Sequence, residues 1–448
     1  MAVLTAPNIA GILLALFIAG CGEKIAMVID AADTGGIPNI VDSVTDSHSG
    51  PDSGARDTGT QTDTHTTGIE VSTETAIDTG KDTDTPTTPD TSTWGIDSGT
   101  GSETETSSDT DTPSDSESDT GRPPLSYMIG ADISYVDEQE DFGIVFTENG
   151  EPTDILTQLK SHGINFIRLR LFKDSDDPLG YQYADYTRAE PYCDLSHTLA
   201  MAKRIKTAGM GFFLSIRYAD TWTDPENQPM PAEWVGMNMD ELEVEVYNYT
   251  SGVLGAFEAD NTMPDIVQIG NEITNGMLDP IGFDLREDPD KWDNLSRLLK
   301  SAIRAVKDID PNVVIVLHLD VIDQPDGAVS WMQEALSRDV EFDALGFSAY
   351  NRWHGELETW ETTLLTLAER FPTHGLLIAQ YAGNHLALND FMINTLHGMG
   401  TFAWEVTTDG DWGDGLYDAP RWTAGEATPR ETLLLFDQIA QMAAAQQQ

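Results

Sequence analysis

The fold class that residues 125–448 predict is α/β, a (β/α)8 TIM barrel, on three observations. Eight short apolar runs recur at 127–133, 165–171, 211–217, 265–270, 312–318, 343–348, 375–380 and 400–404, each of strand length. Longer amphipathic stretches of helical period lie between them, so strand and helix alternate over roughly the chain length typical of that barrel. No glycine-rich phosphate loop follows the first run, which disfavours the runner-up, a doubly wound open sheet.

Two segments precede the barrel. Residues 8–20, NIAGILLALFIAG, are apolar but too short to span a bilayer comfortably. The string Ile18-Ala19-Gly20-Cys21 resembles a bacterial lipobox, whose cysteine becomes the lipidated mature N-terminus. Residues 1–21 are therefore expected to be a lipoprotein signal peptide ending at Cys21. Residues 1–7 depart from the usual export signal in carrying no Lys or Arg. The expected location is the bacterial cell envelope, lipid-anchored and facing the surface or the periplasm. Residues 22–124 are rich in Asp, Thr, Ser, Gly and Pro, and such a low-complexity segment buries too little apolar surface to offset its ordering entropy. A disordered acidic linker is expected there, self-repelling and acting as a spacer. Its TDTDT pieces do not make a calcium loop, because Pro86 and the missing Gly and terminal Glu spoil the register.

Charge and cysteines narrow the function classes. The formal net charge is −52; residues 22–124 hold 22 acidic and 4 basic side chains, a balance of −18, which leaves −34 elsewhere. An acidic folded region argues against nucleic acid and anionic membrane surfaces as partners and is compatible with neutral polymers. With only Cys21 and Cys193 present, no disulfide framework exists, and Cys193 reads as an unpaired structural thiol at a helix start. The nine histidines show no HExxH pairing, so no metal or cofactor is expected.

Within the barrel region, helical patterns include DILTQLKSHG, DLSHTLAMAKRIKTAG, DELEVEVYNYTSGVLGAF, WDNLSRLLKSAIRAVKDI, ETTLLTLAER and ETLLLFDQIAQM. Asp154 and Asp194 are predicted N-caps, and Gly163 and Gly209 are predicted helix stops.

Barrels place function at the C-terminal ends of their strands, and these ends are rich in polar residues. The second strand carries Arg168 and Arg170 on one face by the period of two, and buried arginines need anionic partners. A structural ion pair and direct sugar contact are both open for them. The third strand runs into Tyr218, Asp220 and Trp222, followed by Asp224-Pro225, a loop with an aromatic platform and hydrogen-bonding groups. The fourth ends Gly270-Asn271-Glu272, where the glycine frees the backbone beside an amide and a carboxylate. That pair suits sugar chemistry: Asn holds a hydroxyl, while a partly desolvated Glu with a raised pKa delivers a proton. The fifth strand ends at His318 and Asp320, the sixth runs from Ser348 through Tyr350, Trp353 and His354, and the eighth ends Trp404-Glu405.

Taken together, the strings GAD read with Ser134, NFIRLRLF, YADTWTDPENQ, VQIGNEITNGM, LHLD and WHG resemble glycoside hydrolase family 53, the arabinogalactan endo-β-1,4-galactanases. The resemblance spans about residues 127–440. It implies a two-glutamate glycosidase acting on β-1,4-galactan or arabinogalactan side chains, and a monomer is expected. By it, Glu272 is the general acid and base, Asn271 holds the hydroxyl beside the reacting carbon, and Trp404 floors the cleavage subsite. Arg168, Tyr350, Trp353 and His354 line the mouth.

The family's nucleophile position falls on Gln380, and an amide oxygen is a poor nucleophile, so no glycosyl-enzyme intermediate is expected there. Arg217 stands where the family has His, Ser215 where it has Asp, Ala349 where it has Tyr and Asp279 where it has Trp. The added charge at Arg217 is expected to depress nearby carboxylate pKa values. Two readings follow: a galactanase with impaired turnover, or a catalytically silent cell-surface galactan-binding protein. A minor third assigns Glu405 or Asp320 as base of an inverting reaction at roughly 6.5–9.5 Å from Glu272, whereas a retaining pair would sit about 5–5.5 Å apart.

Overall fold

The computed structural model describes residues 126–175, 192–410, 412–420 and 423–446. The expected signal peptide 1–21, with Cys21, and the whole of the linker 22–124 lie outside the described residues. Eight parallel strands close a barrel: β1 (Met128–Asp132), β2 (Phe166–Leu171), β3 (Gly211–Ile216), β4 (Ile266–Ile269), β5 (Val314–Leu319), β6 (Ala344–Tyr350), β7 (Gly375–Ala382) and β8 (Gly398–Ala403). Each pairs with its neighbours in sequence, and β8 returns to β1 with Gly130 opposite Phe402. The ring of Phe402 occupies the place where a Cβ on Gly130 would lie, so only glycine fits there.

The strands are apolar runs because both faces are covered. One face packs under helices, the other fills the barrel. The longer helices are α1 (Ile155–Ser161), α2 (Leu195–Thr207), α3 (Met239–Ala259), α4 (Lys291–Ile309), α5 (Pro325–Ser337), α6 (Leu357–Arg370), α7 (His385–Asn394) and α8 (Leu435–Gln446), and two shorter ones, Val136–Asp141 and Asn351–His354, follow the first and sixth strands. The predicted caps are in place: Asp154 accepts from the Thr157 amide at 3.0 Å and Asp194 from the His197 amide at 2.7 Å. Gly163 and Gly209 both take positive φ just after their helices, at 87° and 65°. Helices α5 and α7 had no counterpart among the named helical strings. The first opens on Pro325 at the N-terminal turn, and the second is ten residues with little amphipathic contrast.

Two small features decorate the barrel. Strands Ile144–Glu148, Glu151–Pro152, Tyr417–Asp418 and Gly425–Pro429 form a four-stranded accessory sheet, and Gly276–Met277 pairs with Gly282–Phe283 in a ribbon just after β4. Cys193 is buried immediately before the α2 cap, forms no disulfide among the described residues, and its thiol donates to the Ser134 carbonyl at 3.7 Å.

Candidate functional site

The site grows from the end of β4. Gly270 takes φ 73°, turning the chain so that Asn271 and Glu272 leave the strand facing the barrel mouth. Glu272 itself is held in the left-handed region at φ 52°, a conformation that costs a non-glycine residue energy and persists only where surrounding contacts fix it. Those contacts are dense. The Ser348 hydroxyl donates to Glu272 Oε1, and Gln380 Nε2 donates to the same oxygen at 2.8 Å and to Ser348 Oγ at 2.9 Å. His318 Nε2 lies 3.0 Å from Ser348 Oγ, and its Nδ1 lies 3.2 Å from Asn271 Oδ1. Asn271 Nδ2 donates to the Thr223 carbonyl at 3.0 Å.

The ends of β4 and β7 thus meet across the mouth of the barrel, the two side chains in direct contact. Two ionised carboxylates would repel each other. An amide donates to a carboxylate instead, so Gln380 closes onto Glu272 in a direct hydrogen bond. The carbonyl oxygen Gln380 Oε1 is buried and has no partner.

Burial pushes the Glu272 carboxyl up to about 7; the Ser348 hydrogen bond and the Arg217 charge pull it down, and the Asp320 charge raises it. The expected sign of the Arg217 effect is therefore present, but desolvation outweighs it. An acid of this pKa retains its proton near neutrality, as proton donation to a leaving group requires.

Beneath this layer lie the buried arginines. Arg168 NH1 donates to Asp132 Oδ2 at 2.6 Å, and its NH2 donates to Gln268 Oε1 at 3.0 Å and Ser215 Oγ at 3.2 Å. Arg170 pairs with Glu405 and lies 3.8 Å from Asp132 Oδ1. All four charged side chains are fully buried, so Arg168 and Arg170 serve as structural ion pairs and do not line the mouth.

Above them opens a cleft of about 700 Å³, within the range of small-molecule sites. Its wall includes Glu272, Asn271, Gln380, Trp222, Tyr350, Trp353, His354 and Trp404 from the predicted set. Tyr350 and Trp353 pack edge to face at 5.3 Å, and Trp353 stays about half exposed. Besides Arg168, three predicted contacts fall elsewhere. Tyr218 is 1% exposed, its hydroxyl 2.7 Å from Thr250 Oγ1 in α3, because positive φ at this residue turns the side chain outward under the helix. Asp220 accepts from the Ala232 amide at 2.7 Å and braces its loop. His318 is wholly buried below Glu272 and reaches the cleft only indirectly, through Ser348 on one ring nitrogen and Asn271 on the other. Glu405 is likewise enclosed and does not reach the cleft, which removes it as a base, whereas Asp320 lines the cleft with a buried, unpartnered Oδ1. Tyr135 and Trp412 also line it and were not foreseen. Tyr135 lies three residues beyond β1 and Trp412 in the loop after β8, and an aromatic at a strand end is the signal that would have found them.

The sequence model of a family described as Glycosyl hydrolase family 53 matches residues 128–398. A protein of Niallia circulans named for its place in the bgaB 5′ region is 37% identical over 250 residues, which cover 55% of this chain and 65% of that protein. Arabinogalactan endo-beta-1,4-galactanase A of Emericella nidulans is 33% identical over 263 residues, covering 57% of this chain and 70% of its own. This chain thus spans just under two thirds of the first relative's length and just over two thirds of the second's. Among solved structures, the Ignisphaera aggregans GH53 catalytic domain superposes with a TM-score of 0.60 at 27% identity, over 70% of this chain and 96% of that one. With the match extending over more than half of its length, the chain belongs to glycosyl hydrolase family 53.

Proposed function

We propose that this chain is a galactan-recognising barrel of the galactanase type in which retaining hydrolysis is switched off. The reading is carried by one observation: the group opposite Glu272 is the amide of Gln380, hydrogen-bonded to it at 2.8 Å. A double displacement needs a carboxylate there to form the glycosyl–enzyme bond, and an amide does not supply it. Recognition is retained by other parts. Asn271 and Gln380 contribute polar groups to the cleft wall, and Trp222, Trp353 and Trp404 offer apolar faces to pyranose rings. Relatives named as arabinogalactan endo-beta-1,4-galactanases support β-1,4-galactan as the ligand.

Incubation of β-1,4-galactan with wild type and with Gln380→Glu tests this directly. No cleavage by wild type, together with cleavage by the variant, is expected. Clear wild-type turnover defeats the silent reading. If that turnover inverts the anomeric centre by NMR, Asp320, whose carboxyl burial holds above the usual range, becomes the base. The lipobox-like string ending at Cys21 supports a lipid anchor at the cell envelope. Loss of membrane fractionation in Cys21→Ser checks the anchor.

A further inference from the structure

Three guanidinium groups stand in the upper half of the barrel, Arg168 and Arg170 beneath the cleft and Arg217 in its wall, and two of the three have carboxylate partners. Arg168 pairs with Asp132 and Arg170 with Glu405. Arg217, 2% exposed, donates through NH1 to the Thr223 carbonyl and hydroxyl, each at 3.2 Å. Its Nε is buried without a partner, and among the described residues no carboxylate lies within 4.0 Å of it. The guanidinium carbon lies 5.8 Å from the Trp222 ring centre and 5.9 Å from that of Trp404, and Arg217 lines the cleft with Glu272.

A buried cation without a counter-ion is costly, and neutral hydroxyls satisfy its hydrogen bonds without balancing its charge. Gln380 on the same wall adds no negative charge. Glu272, with its proton held to about pH 7, is a partial counter-ion only. We propose that Arg217 receives a carboxylate carried by the ligand, so that the cleft selects a glycan segment bearing a hexuronate residue among neutral sugars. The planar fork of a guanidinium matches a carboxylate in a way a hydroxyl does not. A single uronate is specified because Asp224, Asp320 and Asp323 line the same cleft and would repel a polyuronate.

This specificity rests on the cleft being a galactan-type glycan site, and calorimetry on the full chain separates the two. The probes are β-1,4-galactotetraose and tetraoses oxidised at C6 to the uronate at each of the four positions singly. At least one uronate isomer is expected to bind wild type about tenfold tighter than the neutral tetraose. Arg217→Gln should bring the ratio of uronate to neutral affinity down to about one, whatever the neutral affinity becomes, and Arg217→Lys should keep part of the preference; thermal melts establish that both variants fold. Equal or weaker binding of every uronate isomer by wild type overturns the proposal and leaves the galactan reading standing. Binding of uronate isomers alone supports the proposal and removes galactan as the ligand, and binding of none overturns both.

Discussion

The lower and upper halves of the barrel interior are built from the same strands, two residues apart, and hold opposite chemistry. At the lower level Met128, Phe166, Phe213, Ile266, Val316, Leu377 and Phe402 form one apolar cluster. One step up the same inward faces stand Arg168, Ser215, Gln268 and His318, all wholly buried and all polar. The lower half is stabilised by area removed from water, which is non-directional and tolerant of exchange among similar volumes. The upper half is stabilised only while each charge and donor keeps its partner, so it fails by single contacts. A barrel thus carries a forgiving foundation under an exacting site.

The largest effect should come from breaking an ion pair in the upper half. Glu405→Leu removes the nearer carboxylate of buried Arg170, leaving Asp132 at 3.8 Å, and is expected to cost about 3–5 kcal/mol by urea denaturation. A cost below about 1 kcal/mol would break the comparison. Next comes Glu272. Its folded pKa is raised to about 7 from 4.5, so its contribution to stability is intact below about pH 4.5 and is lost as pH rises through 7. Glu272→Gln should therefore be more stable than wild type at pH 8, by at most about 3 kcal/mol, with the difference vanishing below about pH 4. Melting curves across that range read it, and a pH-independent difference would show that the carboxyl is not desolvated.

In the lower half, Ile266→Val should cost only about 0.5–1.5 kcal/mol, again by denaturation. The smallest expected change is in ligand affinity for Tyr218→Phe. It removes a buried hydrogen bond to Thr250 worth roughly 0.5–1.5 kcal/mol of stability. Galacto-oligosaccharide affinity by calorimetry should not move, and a weakened affinity would return Tyr218 to the cleft.

Much of the frame was legible. All eight barrel strands fall within a few residues of the predicted runs, because a strand covered on both faces reads as a continuous apolar string. Asp154 and Asp194 cap as expected because a short side chain and a neighbouring amide need no tertiary partner. Legibility thinned in the loops. Trp222 and Tyr218 belong to one string, yet the first lines the cleft while the second turns away under α3. Spacing along a loop carries no period from which to assign a face.

The chain itself determined which strand ends bear an acid, an amide or an arginine, since covalent order fixes Glu272 behind Gly270 and Gln380 at the end of β7. Only the closed barrel decided what those groups do to one another. It brings Glu272 and Gln380 into contact across 108 residues, buries Arg168 and Arg170 with their counter-ions, and leaves Arg217 facing the cleft without one. The physical reason is that charge and protonation depend on distance and solvent access, and both are set by closure of the barrel rather than by order along the chain.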